Sequence, residues 1–228
     1  MRIDETAPRR KPEVAQMIVI HKALRREFRL LPEIVAGVPA GDRSRARRVA
    51  AHAELQLRFL HTHHDSEDRL IWPNLARRTE VTTDIVDVMQ RQHHTVDELV
   101  TEVRPLIQRW GGQADVPTRD RIVALLVALH PVLQEHLDLE EREVLPLIRE
   151  HLTVDEWTAA VKDAEKHLPK NPRSGLLLAG AVLEDGTDAE RRWFLHELPG
   201  PARLMWRLVG RSLYRSHLRT VRGPASHS

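Results

Sequence analysis

Cysteine is absent from all 228 residues, which excludes disulfides, iron–sulfur clusters and thiolate zinc sites. Any metal this chain holds must therefore sit on nitrogen and oxygen donors. Tyrosine occurs once, at Tyr214, and phenylalanine three times, so large aromatic contacts fall mainly to five tryptophans. There is no apolar run near the roughly 18 residues that a membrane helix needs, and the opening MRIDETAPRRKPE is a polar arm rather than a charged-then-apolar leader. The expectation is a cytoplasmic protein without a transmembrane segment. Excess charge is missing as well: a formal net charge of +2 rules out a surface that acts as one nucleic-acid footprint. Finally, the chain has no β-branched alternating runs, and helical periodicity dominates throughout, so the class is all-α.

The punctuation falls where four long helices need it. The first is expected from Pro12 to Gly37, proline being tolerated at a first helical position. The second begins near Asp42 and reaches Pro73, which lies in or just past its last turns. The third starts near Thr83, passes Pro105, where a kink is expected, and ends at Gly111-Gly112. The fourth opens with Thr118 as its N-cap and runs through Pro131 to Pro146. Beyond these, Thr153 and Glu156 have capping-box spacing for a helix lasting to about His167. Three shorter helices separated by Gly and Pro then precede a GPASHS tail. The chain thus divides into a bundle over residues 12–151 and a helical C-terminal extension over 152–228 packed on it.

Histidine is plentiful, with fourteen copies, and its placement repeats. The segments HHDSEDRLIWP and HLDLEEREVLP align His63, Glu67, Asp68, Arg69 and Pro73 with His136, Glu140, Glu141, Arg142 and Pro146. Residues four apart on a helix are separated by about 400° of rotation, so each His and Glu lie one turn apart on one face. A single such pair is usually a surface contact worth a few tenths of a kcal/mol. Here the whole motif is duplicated, and matching histidines, His21 and His93, lie upstream of each copy. They fall on apolar stripes: Met17, Leu24 and Phe28 around His21; Met89, Val96 and Val100 around His93; Leu129, Leu133 and Leu147 around His136. Ionisable groups facing a core are costly unless a cation compensates their burial. Imidazole and carboxylate without sulfur suit iron, manganese or zinc, and two carboxylates beside four histidines best suit two irons, with Glu67 and Glu140 able to bridge them. Two neighbours leave the register open, because His64 and His94 directly follow His63 and His93. His61 is read as a surface residue.

These motifs resemble the hemerythrin-like, or HHE cation-binding, family over roughly residues 12 to 150. The resemblance implies an up-down-up-down four-helix bundle around a non-heme pair of iron ions, oxo- or hydroxo-bridged. The ligands it implies are His21, His63 with Glu67, His93, and His136 with Glu140. Some members place the last carboxylate one residue later, which is Glu141 here; internal symmetry favours Glu140. Oxygen-carrying hemerythrins have a further histidine one turn after the third-helix ligand, where this chain has Asp97. If Asp97 does not coordinate, four histidines remain and a coordination position is open to O2, peroxide or nitric oxide. The function implied is binding of such a small molecule, with or without redox turnover. The alternative is a non-catalytic metal- or oxygen-responsive sensor, and a single zinc or no metal is a third reading.

Three other features carry weaker signals. Arg203, Arg207, Arg211, Arg215 and Arg219 recur every four residues on the terminal helix, either as a solvated face paired with bundle carboxylates or as a docking stripe for anionic lipid, nucleic acid or an acidic partner. His52 and Gln56 lie on the face leading to His63, in a packing role or as outer partners of the ligands. Tyr214 and the tryptophans are read as packing residues.

Overall fold

The computed structural model describes residues 11–78 and 80–223, without the side chains of 80–83; the outermost N-terminal arm and the GPASHS tail fall largely outside them. The described residues are all-helical, in eight helices. Helix α1 spans Ala15–Ala36. Helix α2 runs over Arg43–Ser66, widens into a π-helical turn at Glu67–Ile71 and ends with Trp72–Ala76. Helix α3 is Glu80–Gln113. Helix α4 repeats the plan of α2, with Val116–Leu139, a π-turn at Glu140–Val144 and Leu145–His151. Helices α5 (Val154–His167), α6 (Pro172–Glu184) and α7 (Asp188–Glu197) are shorter. Helix α8 comprises Gly200–Met205, a π-turn at Trp206–Gly210 and Arg211–Arg222.

Local chemistry sets the boundaries. Helix α1 starts three residues later than Pro12, where Glu13 accepts a hydrogen bond from the Ala15 amide, and it ends on Gly37 as expected. Asp42 caps α2, accepting from the Arg45 amide at 2.9 Å. The cap of α4 is Asp115 rather than Thr118: its carboxylate accepts from the Thr118 amide at 2.9 Å, and Pro117 occupies the first turn. Helix α3 begins earlier than Thr83 and continues through Gly111-Gly112. Gly111 is there for close approach, since a Cβ on it would lie 2.9 Å from that of Ala50 on α2. The Thr153–Glu156 capping box is formed.

Helix α2 packs on α1 and α3, and α4 packs on α3 and α1, so the four long helices close a ring. Two apolar clusters fill it. One holds Leu24, Phe28, Leu60, Val96, Leu133 and Leu137; the other holds Met17, Ile71, Trp72, Met89, Val144 and Ile148. Along these four helices the switch from one cluster to the other falls within about a turn of the singled-out histidines. By length and composition alone Val116–His151 could cross a membrane. In the structure it packs along α1 and α3 and buries the ionisable residues His136 and Glu140.

Helices α6 and α8 pack on α1 and α2 through a buried polar knot. Glu27, wholly buried, receives the guanidinium of Arg26, that of Arg222 and the Nε2 of His52, whose Nδ1 lies 3.1 Å from His217. Tyr214 donates to Glu184 at 2.6 Å and packs flat on Gly180, as expected of a packing residue. Four of the five tryptophans, Trp72, Trp110, Trp157 and Trp206, are likewise buried.

Candidate metal centre

Each helix of the ring delivers its polar residues to one level. His21 comes from α1, His63, His64 and Glu67 from α2, His93 from α3, and His136 and Glu140 from α4; all seven are between 0 and 8% exposed. Their donor atoms form two groups, each lying within 4.8 Å of one another. One group is His21, His63, Glu67 and Glu140, and the other is His64, His93 and His136.

The two carboxylates stand between the groups. Glu67 places Oε1 3.3 Å from His63 Nδ1 and Oε2 3.5 Å from His93 Nε2. Glu140 places Oε2 3.3 Å from His21 Nε2 and 3.8 Å from His136 Nε2. Each acid therefore faces one imidazole of either group. The π-turns begin at these two glutamates: the Trp72 amide bonds to the Glu67 carbonyl, and the Leu145 amide bonds to that of Glu140. Pro73 and Pro146 follow directly, and a proline ring clashes with the carbonyl four residues back, so the widened turn relieves a clash that an α-turn would not. The extra residue also shifts the buried face, which runs 136, 140, 144, 148. Leu147, expected on that face, is only partly buried.

Outside this shell, carboxylates and an amide hold the rings. His21 Nδ1 lies 2.9 Å from Glu141, His93 Nδ1 lies 2.9 Å from Asp68, and His136 Nδ1 lies 3.2 Å from Gln92 Oε1. These contacts turn Nε2 of each ring inward. Asp68 and Glu141 occupy the same place in the duplicated motif, and each steadies the upstream histidine of the other half. Glu141, whose carboxylate accepts a hydrogen bond from Arg25 and also faces His21 Nδ1, is thus an outer residue, while Glu140 is the inner one. Of the tandem neighbours, His94 is exposed, but His64 is as buried as His63. His61 is exposed. Asp97, half-buried, belongs to neither donor group, its carboxyl raised above the usual range by burial. His52 and Gln56 are both buried; His52 joins the polar knot under α8 rather than a ligand.

The electrostatics fit a cation. Burial, then neighbouring imidazoles, drive His63 and His64 well below their ordinary value, and burial takes His136 to about 3 despite Glu140. These rings are neutral and carry the lone pair a metal needs. For His21 the same burial effect is outweighed by Glu140 and Glu141, which raise it. Burial, then the nearby Glu140 charge, push Glu67 well above the carboxylate range. Burial acts on Glu140 too, but His21, His136 and His63 outweigh it and hold that acid at about 2. Both oxygens of Glu67 and of Glu140, both nitrogens of His64, and Nε2 of His93 and His136 make no hydrogen bond. Each buried unpaired polar group costs on the order of 1–3 kcal/mol, which a multivalent cation among them offsets. The donors are hard to borderline, as iron prefers.

Sequence reasoning passed over His64 as a residue buried together with His63, and Gln92, which nothing in its local pattern marks. A model of the hemerythrin HHE cation-binding domain matches residues 13–148. Comparison with curated proteins and with solved structures gave no match. A ring of helices, a duplicated His-x-x-x-Glu motif converging on one buried centre and a family match over more than half its length place this chain in the hemerythrin HHE cation-binding family, whose members bind metal cations, typically iron.

Proposed function

We propose that the chain is a non-heme diiron protein that binds O2 or a related small molecule such as peroxide or nitric oxide. In this reading residues 12–151 are an up-down-up-down four-helix bundle and 152–228 a helical extension. His21, His63, His93 and His136 hold the ions, and Glu67 and Glu140 bridge them. One observation carries it: each of the two carboxylates spans an imidazole of one donor group and an imidazole of the other. Iron would supply electron exchange with a small oxidant or radical. The chain itself orients the donors through Asp68, Glu141 and Gln92 and keeps water out with Trp72, Met89 and Leu133. Iron analysis of protein purified without added metal tests this, with two irons per chain expected and both lost in Glu67→Ala. A stoichiometry of one, or zinc in place of iron, overturns it. Peroxide consumption by the iron-loaded protein then distinguishes turnover from binding alone.

A second reading, an interaction module that responds to metal or oxygen, draws on the terminal helix. Residues 200–222 contain six arginines and no acid. Arg207, Arg211, Arg215 and Arg219 are exposed, and none forms an ion pair among the described residues. That favours a docking stripe for an acidic partner over a face paired with bundle carboxylates. Binding of an acidic polypeptide that changes with iron occupancy is the expected result; identical binding with and without iron sinks it.

A further inference from the structure

The site contains an imidazole that the diiron reading leaves unassigned. His64 is 1% exposed, and neither ring nitrogen has a hydrogen-bond partner. An imidazole ordinarily places at least one nitrogen on a partner when buried. Its ring stacks on His93 with centroids 4.0 Å apart and planes 9° apart, and meets His136 edge-on at 4.9 Å. The inward nitrogens of His93 and His136 are equally unpaired. Three imidazole donors thus lie within 4.8 Å of one another, each with an inward nitrogen that has no hydrogen-bond partner.

Adjacent helical residues differ in direction by about 100°, so they usually compete for one inward position. Helix α2 escapes that competition because it is flanked by α1 and α3. His63 turns toward α1, where its Nε2 lies 3.1 Å from that of His21, while His64 turns toward α3 and stacks on His93. On α3 the position one turn after His93 is Asp97, which is outside both donor groups.

We propose that His64 is a metal ligand, completing with His93 and His136 a three-imidazole set for one ion while His21 and His63 serve the other. The tandem histidines of α2 are thereby divided between the two ions, and α2 supplies the imidazole that α3 lacks at Asp97. This assignment rests on the diiron reading and is tested separately from it. The rings of His21, His93 and His136 are steadied by Glu141, Asp68 and Gln92, whereas His64 makes only ring contacts, with His63, His93 and His136.

The test compares the wild-type chain with His64→Phe, which keeps the stacked ring and removes both nitrogens, and with His94→Ala, which changes the exposed histidine that follows His93 on α3. Iron per chain, resistance of the bound iron to a chelator, and the imidazole count from X-ray absorption are measured in each. The expected result is two irons in wild type and in His94→Ala, with His64→Phe falling toward one iron or releasing iron at least about tenfold more readily, and showing fewer imidazoles per iron. In His64→Ala, free imidazole should restore iron retention, an effect that repacking cannot imitate and that stands even if the Phe variant folds poorly. Wild-type retention and imidazole count in His64→Phe, or no rescue of His64→Ala, overturn the assignment. Fewer than two irons in wild type overturns the diiron reading itself.

Discussion

Asp68 and Glu141 stand at the same position in the duplicated motif, and each holds the Nδ1 of a histidine from another helix. Such partners fix the ring's tautomer and direction without touching the metal, and their loss typically weakens binding by about 10–100-fold. Asp68→Asn and Glu141→Gln should each lower iron affinity by about that factor in a chelator competition, with the fold retained. Glu140→Gln, by removing an inner charge, should abolish loading of the pair. The distinction between Glu140 and Glu141 was open in the sequence because both are acids on one helix about 100° apart, and internal symmetry alone favoured the first. His64 was harder to see. A rule that assigns one inward residue per turn treats neighbours as rivals, and only the position of α2 between α1 and α3 brings both inside.

Among elements, the paired π-turns are the least legible feature. The two prolines were read as signs of helix ends, yet both helices continue past them. A widened turn has no composition of its own, and only the clash between a proline ring and the carbonyl four residues back hints at it. Helix existence and order, by contrast, followed from periodicity, and Asp42 and Thr153 were readable as caps. The misplaced start of α4 reflects competition between nearby capping residues, in which Asp115 prevails over Thr118, whereas α1 starts after Val14 with no side-chain cap. Replacing Pro73 or Pro146 with alanine lets the ladder return to α-geometry. We expect metal-free stability to rise by roughly 1 kcal/mol while iron affinity drops about tenfold, because Glu67 or Glu140 is re-aimed. Thermal melting and iron competition on the same variant check both signs.

At the scale of the whole molecule, the C-terminal helices are fastened by charge as much as by apolar contact. Burial, then His52 and Arg173, depress His217 to about 4 from its ordinary 6.5. The unfolded chain binds the extra proton between those values, so stability from this group is lost as pH falls from about 6.5 to 4. Burial alone would raise Glu27, but His52, Arg26 and Arg222 bring it to about 2, so its contribution is complete above 4.5 and lost as pH falls toward 2. Both effects have one direction. Mild acidification should speed hydrogen exchange in α8 before α3 and α4, and His217→Gln should flatten the part of that dependence above pH 4. Equal acceleration everywhere refutes it.

The burial of the donor side chains sets a size limit on traffic. With every donor at 8% exposure or less, a visitor must slip between packed side chains as they fluctuate. Species of two or three atoms pass through such momentary gaps, whereas a sugar, a nucleotide or a peptide would need a helix prised away. On the proposed function, the bundle wall would then act as a sieve, selecting guests by dimension before their affinity for iron is ever consulted.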